Sequence, residues 1–196
     1  MIRNDHVGRV AAVLIAGAPL ALAPAPAAAQ DDRVTVAEAR ASLSGRWEGR
    51  FEALDDGLAS ETFEWPIEVS IEDAGDGHTL VERQQFAAME EEDGSLHVTV
   101  TTLDPDGVTE YGSVYVRGSP PEHRAMALSL AEARDETHWT LRGVEDLERD
   151  GELLQARYSL VREGDTLVAT FEVDPAGEEP PFGMTRKTLR RVEAGE

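Results

Sequence analysis

The chain has 196 residues, of which 41% are hydrophobic and 29% charged, a composition typical of a folded globular protein with one sizeable core. It contains no cysteine, which excludes disulfides, thiolate metal sites and cysteine nucleophiles. Its formal net charge of −21 repels nucleic acid and anionic lipid surfaces, so neither is an expected partner.

Residues 1–29 have the pattern of a cleaved signal peptide. Arg3 and Arg9 give a positive start, an apolar run follows, and Ala27-Ala28-Ala29 supplies the small residues that signal peptidase accepts. The apolar run is too short to span a bilayer, and no later segment approaches the required length. We therefore expect residues 30–196 to form one exported domain, located in the periplasm or the medium.

A short helix is predicted in front of the first strand. Thr35 can cap it, and Glu38 stands at the third helical position, as in a capping box. The following segment alternates strictly, with Trp47, Gly49 and Phe51 on one face and charged residues on the other. This period-two pattern predicts a strand with one face in a core and one in water.

Nine further segments of strand length follow, separated repeatedly by Asp-Gly type turns. They are Phe63–Ile71, His78–Glu90, Leu96–Val100, Val108–Arg117, Met126–Leu130, Trp139–Gly143, Leu154–Leu160, Leu167–Val173 and Phe182–Val192. Short connections imply antiparallel neighbours, and a long meander must protect its two edges. The predicted fold is all-β, an antiparallel up-and-down barrel of about ten strands with a short N-terminal helix. A two-sheet β-sandwich is the alternative, although sandwiches usually need longer crossing connections.

The segment Gly45-Arg46-Trp47, preceded by a short helix, resembles the Gly-x-Trp signature of the lipocalin or calycin group. The resemblance implies that Gly45 and Trp47 lie at the closed end of the barrel, where an arginine from the last strand covers the indole. Arg186 is the candidate because it shares strand parity with Met184 and Val192. Such stacking would be a cation–π contact.

The longer motif Gly45-x-Trp47-x-Gly49 also resembles the first strand of nitrobindin-type haem barrels, which have ten strands. Those barrels hold the haem iron through a histidine near the C-terminus. In this chain no histidine follows His138, so the resemblance supplies no haem ligand and we expect no cofactor.

No set of residues in the sequence has the spacing of a metal site or of a nucleophilic catalytic site. His97 lies between Leu96 and Val98, whose side chains define the apolar face of that strand, so His97 is expected to point outward. The sequence therefore names no metal ligand and no catalytic residue.

Polar and aromatic residues that share a strand face are the candidates for a small-molecule site in the barrel lumen. The six candidate ligand contacts are Phe63, Trp65, Glu82, Tyr111, Tyr115 and Trp139. This interpretation requires that their faces point inward, since a slip of one residue would turn them to solvent.

The leading hypothesis is an exported lipocalin-like barrel that binds a small apolar or amphipathic ligand. One alternative is a filled barrel whose acidic surface contacts a cationic partner. A further alternative is a barrel enzyme, for which Glu82 is the first candidate acid or base. The sequence leaves the oligomeric state open.

Overall fold

The computed structural model describes residues 34–54, 62–88, 94–149, 152–175 and 182–193. The predicted signal peptide, residues 1–29, and the predicted start of the domain at residue 30 lie outside these ranges. Within them, no helix combines the length and the apolar character needed to cross a membrane.

The helix α1 (Val36–Ala41) begins at the predicted capping box. The Thr35 hydroxyl accepts a hydrogen bond from the Glu38 amide at 3.2 Å, and the Glu38 carboxylate accepts one from the Thr35 amide at 2.8 Å. Both bonds satisfy amide groups that a helix start would otherwise leave without a partner. The short helix in front of the first strand is therefore confirmed.

The strands are β1 (Gly45–Leu54), β2 (Thr62–Asp73), β3 (Thr79–Phe86), β4 (Leu96–Leu103), β5 (Thr109–Val116), β6 (Glu122–Asp135), β7 (His138–Arg149), β8 (Glu152–Glu163), β9 (Thr166–Pro175) and β10 (Phe182–Val192). Each strand pairs antiparallel with the next, and β10 returns to pair with β1. The predicted ten-stranded up-and-down barrel is confirmed, and the β-sandwich alternative is wrong.

The antiparallel order places the start of β1 and the end of β10 at one end of the barrel, together with α1; we call this the helix end. The opposite end, where β1 ends and β10 begins, is the far end. In β1 the alternation follows the sequence prediction: Trp47 is buried, whereas Arg46 and Glu48 are exposed. The lumenal residues of β10 follow from the register, in which Trp47 pairs with Arg191 and Phe51 with Lys187.

Gly49 permits the close approach of β1 and β10. A Cβ atom at this position would lie 2.9 Å from the Leu189 Cα and would overlap the carbonyl oxygen of Thr188. Both are backbone atoms that cannot rotate away, so we expect Gly49→Ala to lower the free energy of unfolding by about 1–3 kcal/mol. Urea unfolding followed by tryptophan fluorescence measures the loss. Gly112→Ala is the control, because the nearest atoms to its added methyl belong to the flexible Arg124 side chain; an equal loss in the two variants would contradict the argument.

The core of the barrel is concentrated towards the helix end. Leu43, Trp47 and Ile71 are buried there, and Leu80 and Leu103 join the same hydrophobic cluster. Each of these strand residues belongs to the face that its strand turns to the lumen. This end of the barrel is therefore filled by side chains.

Candidate functional site

The floor of the lumen is built around Trp47, which is 1% exposed. Its indole nitrogen donates to the Leu43 carbonyl oxygen at 2.9 Å. The guanidinium carbons of Arg191 and Arg162 lie 5.4 and 5.6 Å from the centre of its ring. Cations at this distance from an indole are attracted by the negative face of the aromatic system.

The same two arginines fasten the segment that follows α1. Arg162 donates to the Ser42 carbonyl oxygen, and Arg191 donates to the Ser44 carbonyl oxygen at 2.6 Å. These bonds satisfy carbonyl groups that have no partner in a helix ladder. Burial lowers the pKa of Arg162, and the nearby positive charge of Arg191 lowers it further.

The prediction that Arg186 covers Trp47 is corrected by this arrangement. Arg186 is exposed and pairs in register with Glu52, on the face that β10 turns to solvent. The parity argument failed because Val192, although apolar, lies opposite the exposed Arg46 on the outward face of the barrel. Met184 is no better guide, since the pairing of β10 with β9 shifts register between Phe182 and Thr185.

Gly45 lies beside the guanidinium of Arg191. Its φ of +143° is one that side-chain-bearing residues rarely adopt, and a Cβ here would lie 2.9 Å from Arg191 Nη2. The structure thus gives a physical reason for the Gly-x-Trp pattern, because the glycine leaves room for the arginine that reaches over Trp47.

Trp139 belongs to the filled helix end and has no surface to offer to a ligand. It is 2% exposed, and its indole nitrogen donates to the Glu136 carbonyl oxygen at 2.9 Å and to the Ser42 hydroxyl at 3.3 Å. Its predicted place among the ligand contacts is therefore corrected to a structural one.

Tyr111 and Tyr115 lie on the outer face of the barrel, where they are 53% and 46% exposed. The inward face of β5 carries Glu110, Gly112 and Val114, which pair with lumenal residues of the neighbouring strands. The prediction that both tyrosines face the lumen is therefore wrong. The predicted facing of β5 is displaced by one residue, and such a displacement exchanges the inward and outward faces of a strand.

The expected outward direction of His97 is also wrong. Its ring centre lies 4.7 Å from that of Phe86, and in the register it pairs with Gln84 on the lumenal face of β3. Burial lowers the pKa of His97, and the positive charge of Lys187 lowers it further. Among the described residues, no group of three or more histidine or acidic side chains is placed to hold a metal ion.

Glu82 faces the middle of the lumen and forms an ion pair there. Its carboxylate lies 3.0 Å from the ammonium nitrogen of Lys187, which is the only lysine of the chain. Tyr158 lies within electrostatic range of the Glu82 carboxylate. Burial raises the pKa of the Tyr158 phenol, and the negative charge of Glu82 raises it further. The middle of the barrel therefore holds charged and polar side chains where a filled barrel would hold apolar ones.

Phe63 and Trp65 form part of an aromatic wall towards the far end. The wall consists of Phe51, Phe63, Trp65 and Phe86, which come from β1, β2 and β3. Ring centres lie 5.9 Å apart for Phe51 and Trp65, 5.4 Å for Phe51 and Phe86, and 5.8 Å for Phe63 and Trp65. These distances are typical of favourable aromatic pairs.

Accessibility changes along the lumen. The inward residues near the helix end are buried, whereas Glu82, Lys187 and Tyr158 in the middle keep part of their surface accessible. Phe63, at the far end, is 46% exposed. The lumen is therefore filled at the helix end, whereas several inward side chains in the middle and at the far end are partly accessible, although Leu154 and Ala156 of β8 are buried.

No protein-family model and no curated protein matches this chain. Among solved structures, Rv2717c from M. tuberculosis is similar over 83% of this chain and 100% of its own, with 17% identity and a TM-score of 0.56. A protein with unknown function from the DUF3598 family, NPUN_R4044 of Nostoc punctiforme PCC 73102, covers 81% of this chain and 100% of its own at 10% identity, with a TM-score of 0.25. The first similarity shows a shared barrel fold and leaves function open, and the second is too low to indicate a shared fold.

Proposed function

We propose that this barrel binds a small, partly apolar ligand in its lumen and that the ligand enters from the far end. The observation that carries the proposal is the accessibility of side chains that point inward. Tyr158 lies in the middle of a strand and faces the lumen, yet part of its surface is accessible. A completely packed core would leave no such surface.

The chemistry of the walls indicates the kind of ligand. The aromatic wall offers an apolar surface on β1–β3, while Glu82, Lys187 and Tyr158 offer polar groups deeper in the lumen. Small-molecule sites commonly combine a mainly apolar lining with a few placed polar groups. A ligand with an apolar body and one polar group fits this division.

The location that we propose is outside the cytoplasm. It is supported by the signal-peptide pattern of residues 1–29. The ligand would then be a compound of the periplasm or the medium.

Binding of N-phenyl-1-naphthylamine, a neutral aromatic probe whose fluorescence rises in apolar surroundings, tests the proposal. We expect saturable binding to the wild type, and a roughly threefold to tenfold higher Kd for Phe51→Ala and for Trp65→Ala, because each removes part of an apolar contact surface. Tyr115→Ala is the matched control: it removes an aromatic ring from the outer face and should leave Kd unchanged.

Circular dichroism verifies that each variant is folded. Absence of saturable binding to the folded wild type, or equal losses in Trp65→Ala and Tyr115→Ala, would overturn the lumenal site.

A further inference from the structure

Arg124 points into the barrel, and none of the described side chains forms an ion pair with it. It has the same strand parity as the buried Met126 and Leu128, so its side chain points inward from β6. Its Nε atom is buried and makes no hydrogen bond, and no carboxylate of the described residues forms an ion pair with its guanidinium. The other inward cations have partners, since Arg40 pairs with Glu110 and Lys187 with Glu82, while Arg162 and Arg191 donate to backbone carbonyl oxygens.

The neighbouring strand leaves space for this side chain. Gly112 pairs with Arg124 in the β5–β6 register, and a Cβ at Gly112 would lie 3.0 Å from Arg124 Nε and 3.1 Å from its Cγ. The stem of the arginine therefore lies across the glycine. A residue with a side chain on β5 would push the guanidinium away from this position.

Two titratable side chains lie within electrostatic range of Arg124. Its positive charge acts on the Glu145 carboxyl and on the Tyr158 phenol. Burial nevertheless raises the pKa of Glu145, and that carboxylate makes no ion pair with Arg124. An interior charge that no carboxylate contacts is costly, and Glu145 compensates it only at a distance, so an anion that reached the guanidinium could form the close contact that no described side chain makes.

We infer that Arg124 binds the carboxylate of an amphipathic ligand whose apolar body occupies the lumen. The inference rests on the proposed function and names the class of ligand, a small organic acid with an apolar body. A guanidinium suits this role because its planar donors match the two oxygens of a carboxylate. The Tyr158 hydroxyl, within range of the same charge, can supply a further donor.

A matched pair of probes tests the inference. N-phenyl-1-naphthylamine and 8-anilinonaphthalene-1-sulfonate share one aromatic body, and only the second carries an anionic group. The net charge of −21 repels anions outside the barrel, so titrations are made at about 0.15 M salt, where the screening length is about 8 Å.

We expect Arg124→Gln to raise the Kd of the sulfonate about tenfold or more, the loss typical of one charge-assisted pair, and that of the neutral probe by less than about twofold. Arg124→Lys keeps the charge and should retain part of the affinity. Arg142→Gln, which removes an exposed arginine from the outer face of β7, is the control and should change neither Kd.

Displacement of the bound sulfonate probe by competing compounds identifies the class of ligand that the site prefers. Decanoate should compete more strongly than decanol, and inorganic phosphate should compete weakly, since it lacks an apolar body. Equal losses for both probes in Arg124→Gln, or equal competition by decanoate and decanol, would overturn the role of Arg124 while leaving the lumenal site in place. Failure of both probes to bind the wild type would remove the proposed function, and this inference with it.

Discussion

Trp47→Ala is expected to lower the free energy of unfolding by about 3–5 kcal/mol, the range observed when a large buried aromatic side chain is truncated. Trp47 is 1% exposed, and its removal would also leave the Leu43 carbonyl oxygen without its donor. The guanidinium groups of Arg162 and Arg191 would lose the ring that both of them cover. The cavity, the lost hydrogen bond and the loss of the ring beneath two arginines combine at one position.

Urea unfolding followed by circular dichroism measures this loss, since the substitution removes one of the three tryptophans that fluorescence would report. Trp65→Ala is the matched control, because Trp65 lies on the adjacent strand and on the same lumenal face but is only half-buried. We expect the control to lose less than half as much stability. Comparable losses in the two variants would show that the helix end is not the stabilising centre of the barrel.

The sequence was sufficient to predict the number of strands and their antiparallel connection, because turn residues and period-two alternation are local signals. The capping box of α1 and the inward direction of Trp47 follow from the same kind of signal. For Glu82 the parity argument also held, since Ile71, which pairs with it in the register, is buried.

The sequence could not predict which faces of β4 and β5 point inward, because the lumen there is polar. In β4 the inward positions include His97 and Thr99, while Leu96 and Val98 take the other parity. A rule that places apolar residues inside then selects the wrong face. Tyr111 was misplaced in the same way. The local amphipathic pattern therefore fails on the two strands whose inward face is not the apolar one.

The partners of Trp47 required the register of the whole barrel. Arg162 and Arg191 come from β8 and β10, and neither lies near Trp47 in the sequence. Arg191 is identified by the pairing of β10 with β1, in which it stands opposite Trp47. Arg162 and Arg191 reach Trp47 through long side chains, and the local sequence pattern does not predict such contacts between distant segments.

Arg40 extends this floor through an ion pair, and its removal is the second large effect that we expect. The guanidinium is 4% exposed; it lies 2.7 Å from the Glu110 carboxylate and donates to the His78 carbonyl oxygen at 2.9 Å and the Thr101 hydroxyl at 2.8 Å. Arg40→Met should lower the free energy of unfolding by about 3–5 kcal/mol, because it leaves a largely buried carboxylate without its counter-ion. The hydrogen bonds that join α1 to β4 and β5 would be lost as well.

A double variant separates the charge from the packing. In Arg40→Met/Glu110→Gln no uncompensated charge remains, so part of the stability lost in Arg40→Met should return, and the difference measures the coupling of the two groups. Arg134→Met is the control: Arg134 pairs with Glu163 at 2.8 Å, but the two side chains are 69% and 59% exposed. Water already solvates that pair, so its loss should change stability by about 0.5 kcal/mol or less. A loss in Arg40→Met no larger than in Arg134→Met would mean that the ion pair at the helix end does not hold α1 to the barrel.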